Sequence, residues 1–78
     1  MNNYDQGLSE EHMQSLKKRI ELLDHIEKNL LLMKDLARQA AQQELPAYKR
    51  VMINQTFQHL QKEVSQLYAL LDDSHFTH

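Results

Sequence analysis

Cysteine and tryptophan are absent from this chain of 78 residues, and glycine and proline occur once each, at Gly7 and Pro46. Without cysteine the chain can form neither a disulfide nor a thiolate metal site, which excludes the small disulfide-stabilised secreted folds. Turns and strand ends usually contain glycine or proline, so the scarcity of both residues favours long uninterrupted helices. The sequence therefore predicts an all-α protein.

Long hydrophobic runs and a strong excess of either charge are also missing. The longest run of aliphatic residues and methionine covers residues 30–33, whereas a membrane-spanning helix needs roughly 20 apolar residues. Nine basic and eleven acidic residues give a formal net charge of −2, which argues against a dedicated nucleic-acid binder and against a disordered acidic tail. Residues 1–12 lack the pattern of a signal peptide. We therefore expect a chain without a membrane span and with a cytoplasmic location.

The first helix is predicted over residues 9–44, after a polar arm over residues 1–8. Ser9 is a favourable N-cap, and Glu10 and Glu11 place negative charge at the positive end of the helix dipole. Leu8 and Met13 have the spacing of a hydrophobic staple.

An apolar seam follows along the first helix. Its steps of three and four residues are typical of helix–helix packing, with one doubled step of three between Leu23 and Ile26. The predicted seam consists of Met13, Leu16, Ile20, Leu23, Ile26, Leu30, Met33, Ala37 and Ala40.

Pro46 marks the bend of the chain. Proline disfavours helical geometry in the residue before it and suits the first turn of a new helix, so a second helix is predicted over residues 46–73. A link of two or three residues predicts an antiparallel hairpin, although one continuous helix kinked at Pro46 remains an alternative. Asp72 and Asp73 oppose the helix dipole, so residues 74–78 are expected to fray.

The second helix has an unbroken apolar seam, with steps of 4, 3, 4, 3 and 4 residues over about three heptads. The seam consists of Ile53, Phe57, Leu60, Val64, Leu67 and Leu71.

Two helices that each bury one seam leave further large apolar side chains in water. We therefore expect a homodimer that closes a four-helix bundle, or a heteromeric helical partner. The residues predicted for self-association are Ile26, Leu30, Met33, Phe57, Leu60, Val64 and Leu67, and those predicted for a further partner are Leu32, Leu36, Tyr48, Val51 and Met52.

The sequence carries no catalytic, metal-binding or cofactor motif, and we expect no enzymatic activity. Glu21 with His25 and His59 with Glu63 are four residues apart and are interpreted as solvated pairs on helix faces. The sequence alone leaves open whether His75 and His78 bind a metal ion, since two ligands in a tail have no preorganised geometry.

Two sequence-based functions remain. The first is a non-enzymatic protein–protein interaction module, a small helical-hairpin adaptor or regulator. The alternative is a small nucleic-acid-associated regulator whose phosphate contacts come from Lys17, Lys18, Arg19, Lys49 and Arg50.

The order of a polar arm, a long helix, a proline bend, a second helix and a tail resembles several groups of small bacterial helical-hairpin proteins. They include co-chaperones of secretion needle subunits and short phosphorelay regulators with an acidic SQELD-type helix. The stretch from Val64 to Leu67 lacks the acidic pair of that motif, so the resemblance implies the hairpin shape and not the regulators' activity.

Overall fold

The protein is an antiparallel hairpin of two long helices. A computed structural model describes residues 9–76, with the side chains of residues 9–73. Helix α1 covers Glu10–Ala40 and helix α2 covers Ala47–Phe76, and the two helices pack against each other. The predicted all-α hairpin is thus confirmed, and the alternative of one continuous kinked helix is wrong. The predicted arm, the staple residue Leu8 and His78 lie outside the described residues.

The N-terminus of α1 has the predicted cap. Ser9 Oγ accepts a hydrogen bond from the His12 backbone N–H at 3.3 Å, and the Ser9 carbonyl accepts one from the Met13 N–H at 2.9 Å. Glu10 and Glu11 occupy the first turn. The side-chain bond satisfies one of the four N–H groups that a helix start leaves without a partner, and the two carboxylates lie where the helix dipole favours them.

The connection between the helices is longer than predicted, because α1 ends at Ala40 rather than at residue 44. Residues 41–46 lie between the helices, and Pro46 directly precedes α2. The Pro46 carbonyl accepts hydrogen bonds from the backbone N–H groups of Lys49 at 3.0 Å and Arg50 at 3.1 Å. Pro46 therefore caps α2 from one position earlier than the first-turn position that the sequence predicted.

The side chain of Arg50 holds the connection in place. Its guanidinium donates to three backbone carbonyl oxygens, those of Gln42 at 3.1 Å and of Ala40 and Leu45 at 3.4 Å each. A helix end leaves carbonyl groups without partners, and a cation favours the negative end of the helix dipole. Arg50 thus replaces the glycine cap that this sequence lacks.

Helix α2 extends to Phe76, three residues beyond the predicted end at Asp73. Acidic residues in a last turn cost only a fraction of a kcal/mol when exposed to water, about 0.3–1 kcal/mol each. Extending an existing helix by one residue is far easier than starting a new one. The two carboxylates therefore do not end the helix.

The core is a single line of contacts between the helices. Ile26, Val64 and Leu67 are buried, and Leu22, Met33 and Leu71 pack partly buried around them. All six residues of the predicted α2 seam are buried or partly buried, so that prediction is confirmed.

The predicted α1 seam is wrong at most positions, since only Ile26 and Met33 of it face α2. Met13, Leu16, Ile20, Leu23 and Leu30 are exposed instead. The buried and partly buried residues of α1 repeat every three or four positions, and they are Arg19, Leu22, Ile26, Asn29, Met33 and Leu36. The physical reason is the polar residue Asn29, which occupies an inward position that an apolar pattern skips.

Leu67 and Leu70 allow a matched test of this packing, because one is 7% exposed and the other 52%. We expect Leu67→Asp to lower the free energy of unfolding by about 3 kcal/mol or more, since it buries a charge without a partner. Leu70→Asp should cost about 1 kcal/mol or less. Urea titration followed by circular dichroism measures both changes.

The double variant Leu60→Asp with Leu67→Asp should not fold, because both positions lie on the α2 seam. If Leu67→Asp and Leu70→Asp lowered stability equally, the assignment of the buried face of α2 would be wrong.

Candidate interaction surface

A buried polar pair lies within the hairpin contact. Asn29 is 5% exposed, and its Nδ2 donates a hydrogen bond of 2.7 Å to Glu63 Oε1 on the other helix. The carboxylate acceptor makes this a charge-assisted bond, which is stronger than a bond between neutral groups. The sequence interpretation of His59 and Glu63 as a solvated pair is thus incomplete, because Glu63 turns to Asn29.

This pair fixes how the two helices are aligned. A slide of α2 by one helical turn along α1 would leave both the amide and the carboxylate partly buried without partners, at about 1–3 kcal/mol for each group. A single buried asparagine sets register in coiled coils for the same reason. Asn29 and Glu63 therefore select one alignment of the hairpin and, with it, the set of residues that stays outside.

The other charged pairs carry little energy. Asp24 and Lys28 form an ion pair at 3.5 Å, with both side chains more than half exposed, and pairs of this kind contribute about 0.3–0.5 kcal/mol. No group of three or more histidine or acidic side chains is close enough to hold a metal ion in the described part of the chain. The side chain of His75 and all of His78 lie outside that part.

The basic residues of the nucleic-acid hypothesis lie at opposite ends of the hairpin. Residues 17–19 are near the open end and Lys49 and Arg50 are at the connection, about 30 Å away at 1.5 Å per helical residue. The Arg50 guanidinium is already bonded to backbone carbonyls. The structure does not bring these five residues into one basic surface.

An exposed apolar line runs along α1, and we call it the α1 stripe. It consists of Met13, Leu16, Ile20, Leu23 and Leu30. Each of these side chains is 44–65% exposed. Three of them, Ile20, Leu23 and Leu30, directly follow a residue that is buried or partly buried against α2. The stripe is therefore rotated by about 100° from the face that contacts α2.

Helix α2 is polar on the same side of the hairpin. Antiparallel helices of the same hand turn the residues that follow their inward positions toward one common side. On α2 these residues are all exposed, and most are uncharged and polar: Asn54, Gln58, Gln61, Ser65, Tyr68 and Asp72. The apolar surface of this side therefore belongs mainly to α1.

The residues predicted to interact fall into two groups. Six of the seven predicted for self-association, all except Leu30, are buried or partly buried where the two helices meet: Ile26, Met33, Phe57, Leu60, Val64 and Leu67. Of those predicted for a further partner, Leu36 is partly buried against the neighbouring helix, while the others are 53–64% exposed: Leu32, Tyr48, Val51 and Met52.

Sequence reasoning missed Asn29, Glu63 and the α1 stripe as separate features. The signal was the doubled step of three between Leu23 and Ile26. Once an asparagine is allowed at position 29, the inward residues of α1 follow steps of 3, 4, 3, 4 and 3 without interruption. The residues of the α1 stripe then form a second, separate apolar line.

No protein-family model matches this chain, and the searches of curated proteins and of solved structures return no match either. Among the described residues, neither helix is long and apolar enough to cross a membrane.

Removing one half of the polar pair should cost more than removing both halves. We expect Asn29→Ala to lower the free energy of unfolding by about 1–3 kcal/mol, because it leaves the Glu63 carboxylate partly buried without its donor. The double change Asn29→Leu with Glu63→Leu replaces both groups by apolar ones and should restore stability to the wild-type level or above. Chemical denaturation measures both, and a double variant weaker than Asn29→Ala would contradict this account.

Proposed function

We propose that this protein is a non-enzymatic protein–protein interaction module, a helical hairpin that acts as a homodimer or binds a helical partner. The observation that carries the proposal is that exposed large apolar side chains outnumber buried ones. Within residues 9–73, three hydrophobic residues are buried, whereas twelve large ones are exposed. Single exposed apolar residues are ordinary, but a contiguous set of them is typical of a binding surface.

The shape of the chain supports the same proposal. Among the described residues the two helices pack against each other and against no third element. Stable domains usually consist of at least two packed layers around a core. A second copy or a helical partner would cover the faces that this pair leaves in water.

The polar residues also fit a binding role better than a catalytic one. Thr56 Oγ1 donates to the Met52 carbonyl at 3.0 Å within its own helix. Ser15 and Ser65 are exposed on helices whose backbone N–H groups are already bonded, which leaves no donors for an oxyanion. The larger groove of the surface, lined by Lys18, Glu21, Leu22 and Leu70 among others, is open and mixed in charge.

Solution mass, helical content and dye binding together test this proposal. We expect either a helical dimer of twice the 9.3 kDa chain that binds little anilinonaphthalene sulfonate, or a monomer that binds the dye strongly. In the first case a second copy covers the apolar surface, and in the second that surface awaits a different protein. Light scattering after size exclusion, circular dichroism and fluorescence on one sample provide the three readings.

A helical monomer that does not bind the dye would contradict the proposal. It would mean that the exposed side chains are covered within a single chain, so that no surface remains for a partner.

A further inference from the structure

We propose that the α1 stripe binds the same stripe of a second copy, with the two α1 helices antiparallel. This inference rests on the proposed function and narrows it to one occupant, one face and one alignment. It follows from the spacing of the stripe, from the charges beside it and from the area that a stable dimer needs.

The spacing of the stripe is that of a coiled-coil seam. Met13, Leu16, Ile20 and Leu23 follow steps of 3, 4 and 3 residues, and Leu30 lies seven residues beyond Leu23. The intervening seam position is Glu27, and the next position after Leu30 is Lys34. An apolar line of this kind is what one helix presents to another in knobs-into-holes packing.

A twofold axis between Ile20 and Leu23 places all five stripe residues within the contact of the two α1 helices and pairs four of them with one another. Ile20 then lies opposite Leu23 of the second copy, and Met13 lies opposite Leu30 of that copy. Both contacts occur twice by symmetry, as in every twofold dimer. Glu27 lies opposite Leu16 of the second copy, between these two contacts and beside Lys17 of that copy.

The charges beside the stripe favour the same alignment. Lys17 and Asp24 directly follow Leu16 and Leu23, and they lie at the positions that face each other across an antiparallel pair. With the axis between Ile20 and Leu23, Lys17 of each copy comes opposite Asp24 of the other and close to Glu27. Opposite charges at such flanking positions set orientation and partner choice.

The neighbouring alignments are worse. A shift of the second copy by one heptad in one direction places Asp24 opposite Asp24 and Lys34 opposite Leu16. A shift in the other direction places Lys17 opposite Lys17. A parallel pair in register stacks Glu27 on Glu27, and like charges at these distances suppress a complex.

The area also suits a second copy. The five stripe residues expose on the order of 500 Å² of apolar surface, at the upper end of what single chains display. With the charged rim, the contact approaches the roughly 800 Å² per partner that stable dimers bury. The polar side of α2 adds little to this contact, so the interface runs along α1.

A charge placed in the stripe tests the face. Ile20→Lys changes a residue that is 65% exposed, and Leu32→Lys changes one that is 53% exposed on the opposite side of α1. We expect Ile20→Lys to raise the dimer dissociation constant by at least about a hundredfold, because it buries two lysines without partners. Leu32→Lys should leave it within about threefold. Sedimentation equilibrium over a dilution series measures both.

A charge exchange tests the alignment. Lys17→Glu alone and Asp24→Lys alone should each raise the dissociation constant by about fivefold to tenfold, since each replaces two attractive pairs by repulsive ones. The double variant carrying both changes should return to within about twofold of wild type. Lys62→Glu on the outer face of α2 is the control for the change of net charge and should have no effect.

Recovery in the double variant cannot come from contacts within one chain. Positions 17 and 24 are seven residues apart, about 10 Å along the helix. Each new side chain has the same neighbours within its own helix in the single variant as in the double variant. Those neighbours therefore cannot produce a recovery that only the double variant shows.

The outcomes separate this inference from the proposed function. A wild-type chain that is monomeric at every concentration overturns the second copy, and dye binding then decides whether a different partner is expected. If Ile20→Lys leaves the dimer dissociation constant unchanged, the α1 stripe is not the interface. If the double charge variant has a dissociation constant no lower than those of the single variants, the proposed alignment is wrong. If Ile20→Lys abolished helicity, the charge exchange alone would decide.

Discussion

A two-helix protein has only one internal contact, and every other property of this hairpin depends on that constraint. Each helix can turn one narrow line of side chains toward the other, so most of its circumference stays in water. A third helix or a sheet would cover a second face in a larger domain. Here, within residues 9–73, the large apolar residues of the helices outside that line are exposed, and they outnumber the buried ones.

The pair of Asn29 and Glu63 decides which line of α1 turns inward. Helix α1 carries two apolar lines about 100° apart, and the one that stays outside has more large apolar residues near the open end. If that line faced α2, Glu27 would meet the apolar seam around Val64 and lie beside Glu63, which places two like charges in a partly buried contact. The inward line instead brings an amide to the carboxylate, and their bond of 2.7 Å satisfies both groups.

Much of the fold follows from the sequence, and the part that does not has identifiable causes. The cap at Ser9, the bend at Pro46 and the α2 seam could be predicted, because each depends on neighbouring residues or on a single periodicity. The α1 seam could not, since α1 has two competing periodicities and the choice depends on Glu63, 34 positions away from Asn29. The end of α1 depends likewise on Arg50, which comes from the next helix and donates to the carbonyls of Ala40 and Gln42.

The two helices therefore expose different surfaces although their lengths are similar. Helix α2 turns its apolar seam toward α1 and is mostly polar on the side of the α1 stripe, while its exposed apolar residues near the connection, Tyr48, Val51 and Met52, lie apart from that seam. Helix α1 turns one apolar line toward α2 and exposes a second one, the α1 stripe. Because both lines lie on one continuous helix, the proposed contact with a second copy would use a surface whose backbone the hairpin already arranges, which lowers the conformational entropy that binding has to offset.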